Sequence, residues 1–306
     1  MSYSQGNLIE ATDYNNLING SNQLNTVWGV GNGASGYGQT AISTVAVANT
    51  VTATQWATLI NRLNSVLIHQ SGSGSGISAV TAGQTISWLS TLQTNINTAF
   101  TNRANFATQG STLAGTNDAT NPSAGATAAF SYFRDTNVTF ASANAARYFF
   151  NAGGQINFVC SATDNAGSTR STTLRDMVNQ VGGLSAFRNT TNGGRSGTGG
   201  TIITNNTAFG YRNLVFNSAT TIVDNDVAGT YSAHNVTLQM FSQNNDTTDG
   251  ANGNSFVFRL NMSAAADDAF GGAINLTVNV RADIVFPETV NLTNVWGTPT
   301  ISFDSA

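Results

Sequence analysis

The side chains that could carry out chemistry are few and lie far apart in this sequence. The chain of 306 residues has two histidines, His69 and His234, and a single cysteine, Cys160. Nucleophilic catalysis needs a serine or cysteine beside a histidine base, and no G-x-S-x-G motif is present. A zinc site of the Cys/His type needs about four ligands, and these residues supply three. We therefore expect no enzyme, no cofactor and no metal site built from these side chains.

Three other segments resemble ligand-binding motifs without completing them. Residues 31–36 match G-x-G-x-x-G, but a dinucleotide site needs a strand before this motif and a helix after it. We expect a glycine turn there. Residues 224–226 begin like a calcium loop, although the oxygen ligands do not continue in register. Residues 243–254 form a second oxygen-rich segment. The sequence leaves open whether either segment binds calcium or is a solvated hairpin tip.

The low charge predicts a subunit that is buried in an assembly. Charged residues make up 8% of the chain, against about 25% in typical soluble domains, and no lysine is present. Protein interfaces are depleted in lysine because a strongly hydrated ammonium is costly to bury. The alternatives are a nucleotide bias in the coding sequence and a secreted surface rich in asparagine and threonine. Candidate interface or surface ion pairs are Arg134/Asp135, Arg175/Asp176 and Arg281/Asp283.

The same composition argues against several partners. The net charge of -4 does not suit a nucleic-acid binder, which needs clustered positive charge. No apolar run approaches the ~20 residues that span a bilayer, so we expect no membrane insertion. We also see no export signal at the start of the sequence.

The first 112 residues contain an internal repeat that predicts helices. Residues 9–19 and 51–61 share the pattern aliphatic-x-Ala-Thr-x-aromatic-x-x-Leu-Ile-Asn, and a weaker third copy starts at Val80. Apolar residues recur at helical spacing in each copy. The predicted helices span residues 13–26, 54–69 and 84–102, with N-caps at Thr12 and Thr54. The apolar stripes predict packing between helices or against neighbouring subunits, and the candidate assembly residues are Trp56, Leu59, Leu63, Trp88, Leu92 and Ile96.

The rest of the chain reads as antiparallel β-structure. Residues 256–262 and 274–284 alternate between apolar and polar side chains, residues 147–158 look like a hairpin, and residues 172–181 have helical spacing. The predicted fold class is α+β, with an N-terminal helical repeat module followed by an antiparallel β-sandwich. The predicted domains are residues 1–112, a linker at 113–126, and residues 127–306.

Four stretches together resemble a family of virion proteins: IEATDYNNLI, SGYGQTAIS, VTATQWATLINRL and ARYFFNAGGQINF. They are similar to virion structural proteins of tailed, mainly marine, bacteriophages, described as tail-fibre-like or tail-associated. The similarity covers most of the first ~110 residues and the segment around residues 146–158. It implies a non-enzymatic, repeated virion subunit that forms a homo-oligomer, such as a trimer, and contacts other virion proteins.

Three functions are compatible with the same sequence. The first is a structural subunit of a tail or fibre-like appendage, and the second is a tail module that binds a host receptor glycan through loops at residues 189–200 and 243–254. The candidate recognition residues in those loops are Arg195, Asn244 and Asn245. A secreted bacterial surface or filament protein is the third possibility. Virion localisation is the expectation for the first two.

Overall fold

The computed structural model describes residues 9–188, 197, 200–202, 211, 214, 216–226, 232–244, 253–266 and 272–305. The chain forms two compact units. The first unit contains Met1–Ser111 together with two later segments, Arg147–Gly153 and Phe286–Trp296. The second unit contains Thr112–Ala146, Gly154–Val285 and Gly297–Ala306.

In the part of the chain that the structure describes, the first unit contains helices α1 (Ala11–Ile18), α2 (Leu24–Trp28), α3 (Ala53–Ser71) and α4 (Leu89–Thr101), together with the second half of a helix at Ala143–Asn151. The predicted helix over residues 13–26 is therefore broken, at a turn that contains Gly20 with a φ of 131°. The predicted N-caps are also wrong by two residues. Glu10 and Thr52 cap α1 and α3 through capping boxes with the side chains three residues later, Asp13 and Gln55.

The third predicted helix begins at Leu89 rather than at residue 84. In the α3 capping box, the Thr52 N–H donates to Gln55 Oε1 at 2.8 Å. The Thr81 N–H makes the equivalent hydrogen bond to Gln84 Oε1, also at 2.8 Å. Gly83 stands between them with a φ of 86°, a left-handed conformation that does not continue as a helix. Residues 85–88 consequently lie outside any helix or strand before α4 begins.

Aromatic side chains from the three sequence copies pack in the core of the first unit. The Trp56 ring meets the Tyr14 ring edge-on, with centroids 5.2 Å apart, and meets the Trp88 ring edge-on at 5.8 Å. Tyr14 and Trp56 are buried. The copies therefore contribute to one shared core.

Two antiparallel six-stranded sheets carry most of the remaining chain. The first sheet has the order β1-β11-β5-β6, and β2 and β3 also pair with β11. Its strands are β1 (Gln109–Leu113), β2 (Asp118–Thr120), β3 (Ser123–Ala124), β5 (Gln155–Asp164), β6 (Gly183–Ala186) and β11 (Ile274–Pro287). The second sheet has the order β12-β4-β10-β9-β8-β7. Its strands are β4 (Phe130–Thr139), β7 (Thr201–Ile202), β8 (Thr220–Asp226), β9 (Asn235–Ser242), β10 (Ser255–Ala264) and β12 (Thr300–Ser305).

The apolar faces of the two sheets pack against each other. Phe158 of β5 and Phe258 of β10 stack with ring centroids 5.6 Å apart and an interplanar angle of 10°, and both are buried. The prediction of an α+β fold with antiparallel sheets is confirmed. The predicted helix over residues 172–181 is present as α6 (Thr169–Val181).

The predicted hairpin over residues 147–158 is wrong. The first half of this segment belongs to helix α5 (Ala143–Asn151), and β5 follows it. Ala146, Phe149 and Phe150 are buried at helical spacing, a pattern that the glycines after residue 151 obscure in the sequence.

The segment predicted as a linker, residues 113–126, contains β2 and β3, and both pair with β11. The N-terminal stretch of the first unit ends at Ser111, close to the predicted boundary at residue 112. The unit also includes residues 147–153 and 286–296, which the predicted domains do not assign to it. Among the described residues, none of the helices has the length and apolar character needed to cross a membrane.

Candidate functional site

A buried polar cluster joins distant segments of the first unit. We call it the His69 cluster, and it consists of Tyr37, His69, Gln70 and Glu288. His69 lies in the last turn of α3, and its Nδ1 is 2.9 Å from Glu288 Oε1. Gln70 Nε2 donates to Tyr37 Oη at 2.9 Å, and the Tyr37 and His69 rings meet edge-on at 5.1 Å. His69 is 1% exposed and Glu288 is 5% exposed.

The Glu288 carboxylate also organises the chain around it. Its Oε2 accepts hydrogen bonds from the backbone N–H of Val290 at 2.7 Å and of Asn291 at 3.0 Å. Burial opposes ionisation, but hydrogen bonds from His69 and Asn291 outweigh that effect and lower the pKa of Glu288 to about 2. The carboxylate is therefore ionised at neutral pH, and it holds residues 286–296 to α3.

Cys160 and His234 are both buried in the second unit. Cys160 lies in β5 and donates its thiol to the Gly182 carbonyl at 3.0 Å. Burial raises the pKa of this thiol to about 12, so it stays protonated and is a poor nucleophile at neutral pH. His234 is buried just before β9.

Side-chain amides replace strand partners at several places in the first unit. Asn15 accepts from the Val45 N–H at 2.9 Å and donates to the Val45 carbonyl at 2.8 Å. Gln39 pairs in the same two-bond manner with the backbone of Thr293, with both distances at 2.9 Å. We call such an arrangement an amide clamp. A third clamp joins Asn25 to Ile42.

The second unit contains a similar clamp at the edge of a strand. Asn179 of α6 accepts from the Ala162 N–H at 2.9 Å and donates to the Ala162 carbonyl at 3.0 Å. The clamps satisfy extended backbone without a neighbouring strand. Some of the many asparagines in this chain therefore serve to hydrogen-bond its own backbone. The periodicity of the sequence does not reveal this role.

The glycine-rich loop at residues 31–36 is filled by the chain itself. Asn151 Nδ2 donates to the carbonyls of Gly33, Ser35 and Gly36 at 3.2, 3.0 and 3.1 Å. Arg147 Nη1 also donates to the Ser35 carbonyl at 3.1 Å. The loop thus presents carbonyl oxygens to cationic and amide donors, whereas a phosphate site needs converging N–H groups.

The candidate assembly residues lie mainly inside the first unit. Five of the six side chains are buried by the chain's own packing, namely Trp56, Leu59, Leu63, Leu92 and Ile96. Trp88 is half-buried. The buried stripes therefore stabilise this unit and do not present a surface to a neighbouring copy in this structure.

Trp88 borders a groove of about 580 Å³ in the first unit. Residues 75–80 line the groove together with Gln84, Thr85 and Thr91. No lining residue carries a charged side chain. The groove lies in the third copy of the repeat. There the helix α4 begins several residues later, relative to the repeat, than α3 does in the second copy.

The candidate recognition loops fall largely outside the described residues. Arg195 and Asn245 lie outside them. Asn244 is described, and its Oδ1 accepts from the N–H groups of Asn254 and Ser255 at 2.9 and 3.0 Å. Asn244 thus joins the end of β9 to the start of β10 by hydrogen bonds.

The oxygen-rich segment at residues 224–226 belongs to strand β8. Asn235 of β9 donates its Nδ2 to both Asp224 and Asp226, so the two carboxylates are bound by a neighbouring amide. Within the described part of the chain, no cluster of three or more His, Cys, Asp or Glu side chains is arranged to hold a metal ion. In the second oxygen-rich segment, residues 243–254, positions 245–252 lie outside the residues that the structure describes.

The predicted ion pairs form only in part. Arg175 pairs with Asp176, and Arg281 with Asp283, at 2.7 and 3.1 Å. The pairing of Arg134 with Asp135 is wrong, because neighbours on β4 point to opposite faces. Arg134 instead pairs with Asp118, and Asp135 binds Arg259 of β10 through two hydrogen bonds of 2.7 and 2.8 Å.

Strand β12 forms an edge of the second sheet. Among the described strands it pairs only with β4. Ile301 and Phe303 lie opposite Val138 and Thr136, on the inner face of the sheet. Thr300, Ser302 and Asp304 are exposed. On the side away from β4, no described strand pairs with β12, so a further strand can pair with its backbone groups there.

Comparison of the chain with protein-family models, with curated proteins and with solved structures gave no match.

Proposed function

We propose that this chain is a non-enzymatic structural subunit of a tailed-bacteriophage virion, in a tail or fibre-like appendage, and that it self-assembles. The four stretches that resemble phage virion proteins support the kind of particle. The absence of lysine and the low charge support a subunit that is surrounded by other protein. A helical repeat module would then serve attachment, and the sheets would form the body of the subunit.

The observation that carries the assembly part of the proposal is the edge of β12 that no described strand covers. Natural sheets protect their edges with lysine, proline, bulges or covering loops. The described strand β12, with the sequence TISFDS, has no lysine or proline, and Asp304 is its one charged residue. Asn137 Nδ2 donates to Asp304 Oδ2 at 2.7 Å, which ties that charge to the sheet. A strand of this kind suits pairing with a neighbouring subunit.

The oligomeric state tests this proposal. We expect the purified chain to form a discrete oligomer, such as a trimer, in light scattering coupled to size exclusion. The double variant Thr300→Lys/Ser302→Lys places two positive charges on the β12 edge and should shift the protein towards monomer. The matched control is Thr94→Lys/Thr98→Lys, which adds the same charge on the exposed face of α4 and should leave the oligomer intact.

Two outcomes contradict separate parts of the proposal. A monodisperse wild-type monomer at micromolar concentration would contradict self-assembly. An oligomer that survives both double variants would leave assembly standing but exclude the β12 edge. Virion membership has its own test, because peptides of the chain should be abundant in purified particles of a tailed phage that encodes it.

A further inference from the structure

We propose that the groove beside Trp88 binds a neutral carbohydrate. The inference does not depend on assembly or on the virion role, because it rests on the geometry and chemistry of the first unit alone. It also differs in place from the loops at residues 189–200 and 243–254.

The groove results from a local departure from the sequence repeat. In the second copy, the turn at Thr52–Gln55 leads directly into α3. In the third copy, the equivalent turn at Thr81–Gln84 is followed by residues 85–88, which are in neither a helix nor a strand, and α4 starts only at Leu89. The late start leaves a concave surface against residues 75–80, where the other copy has a continuous helix.

The indole of Trp88 packs against a buried aromatic side chain at this surface. Trp56 packs edge-on against it with centroids 5.8 Å apart, and Tyr14 supports Trp56 from within the core. Trp88 itself is only half-buried. A fixed, partly exposed ring offers contact area to a ligand at little conformational cost, because its support is already in place.

The polar groups around Trp88 are neutral and accessible. The hydroxyl groups of Ser78, Thr85 and Thr91 belong to exposed residues that line the groove. Gln84 uses its Oε1 to accept from Thr81, which fixes the amide and directs its Nε2 donors away from that bond. Hydroxyl and amide groups can hydrogen-bond both donors and acceptors.

This combination selects the chemical class of the ligand. An anionic or cationic ligand would lose hydration without meeting an opposite charge, which is unfavourable. A purely apolar ligand would leave hydroxyl and amide groups without partners. A sugar offers many neutral hydroxyls for these groups and an apolar ring face for the indole. A volume of about 580 Å³ also falls in the usual range for small-molecule sites, about 300–1,000 Å³.

Titration calorimetry with defined oligosaccharides tests the proposal. The probes are cellotetraose and chitotetraose as neutral ligands and tetragalacturonate as an anionic comparator. We expect at least one neutral probe to bind with a Kd in the range of about 0.1–1 mM, and tetragalacturonate not to bind. Trp88→Ala should weaken binding about tenfold, the equivalent of one lost aromatic contact, whereas Trp88→Phe should retain most of it.

A second variant keeps the test decisive if Trp88→Ala does not fold. Thr91→Trp places a bulky side chain at an exposed position of the groove and should block binding without disturbing the core. The control is Thr94→Trp, about one helical turn further along the exposed face of α4, which should bind as the wild type does. Failure of both neutral probes to bind at about 10 mM, preference for tetragalacturonate, or binding unchanged in Thr91→Trp would overturn the proposal.

Discussion

His69 Nδ1 and Glu288 Oε1 lie 2.9 Å apart although 219 residues separate them in sequence. Both side chains are buried, and the pair ties α3 to residues 286–296 inside the first unit. Glu288 also fixes the turn at Val290 and Asn291 through their N–H groups. The structure therefore uses one of the chain's two histidines to close the first unit around a segment from near the end of the sequence.

Glu288→Gln should destabilise the first unit by about 1–3 kcal/mol at pH 7, because it removes a buried acceptor charge from His69. The folded-state pKa of Glu288 is lowered to about 2 from its ordinary value of 4.5. Its contribution is thus fully present above about pH 5 and is lost as the pH falls towards 2. All four tryptophans belong to the first unit, so urea unfolding followed by tryptophan fluorescence measures the effect.

The other glutamate in the chain supplies the control for that experiment. Glu10→Gln changes an exposed side chain that a glutamine can replace in the capping box, and its effect should stay within about 0.5 kcal/mol. A difference between wild type and Glu288→Gln that does not shrink between pH 5 and pH 3 would contradict the proposed role of the carboxylate.

Thr52→Ala should destabilise the first unit by about 1 kcal/mol, because Thr52 caps α3 by accepting from the Gln55 N–H. Thr54→Ala is the matched comparison, since Thr54 lies within the first turn and alanine favours a helix interior. We expect Thr54→Ala to be neutral or slightly stabilising in the same fluorescence assay. Equal destabilisation by both variants would show that the cap is not at Thr52.

Gln39→Glu should destabilise the first unit by about 1–3 kcal/mol. A carboxylate can still accept from the Thr293 N–H, but it cannot donate to the Thr293 carbonyl, and it adds a charge at a side chain that is 4% exposed. Gln84→Glu is the control. The Gln84 side chain lies at an exposed turn and only accepts from the Thr81 N–H, which a carboxylate can also do, so we expect little change in stability. Urea midpoints that move equally in the two variants would argue against the amide clamp.

Arg170→Lys should destabilise the second unit by about 2–4 kcal/mol. The Arg170 guanidinium is 1% exposed and donates to the carbonyls of Gly125, Ala126, Ala128 and Ala265. Lysine keeps the charge but cannot reproduce this planar set of donors. Thermal unfolding followed by circular dichroism should show the loss.

Arg175→Lys, in the same helix, is the control for Arg170→Lys. Arg175 is partly exposed and pairs with its neighbour Asp176, so we expect a change within about 0.5 kcal/mol. A melting temperature that is the same for both variants would mean that the four carbonyl contacts contribute little.

The sequence by itself determined the periodic elements of this protein. Apolar spacing placed α3 and α6, and alternation placed β10 and β11, because these patterns arise from residues within one segment. Helix α1 lies within the first copy of the repeat and α4 begins at the end of the third, but Gly20 and Gly83 make the bounds of both helices differ from the predicted ones. The single cysteine excludes an internal disulfide without reference to any fold.

Only the tertiary structure decided which distant groups meet. The pairing of His69 with Glu288, the clamp between Gln39 and Thr293, and the filling of the glycine loop by Asn151 all join residues more than 100 positions apart. Side-chain amides leave no periodic signal, because one clamp needs only one asparagine or glutamine at a suitable place. The groove at Trp88 likewise depends on where α4 starts relative to residues 75–80, a relationship that packing sets and local sequence does not.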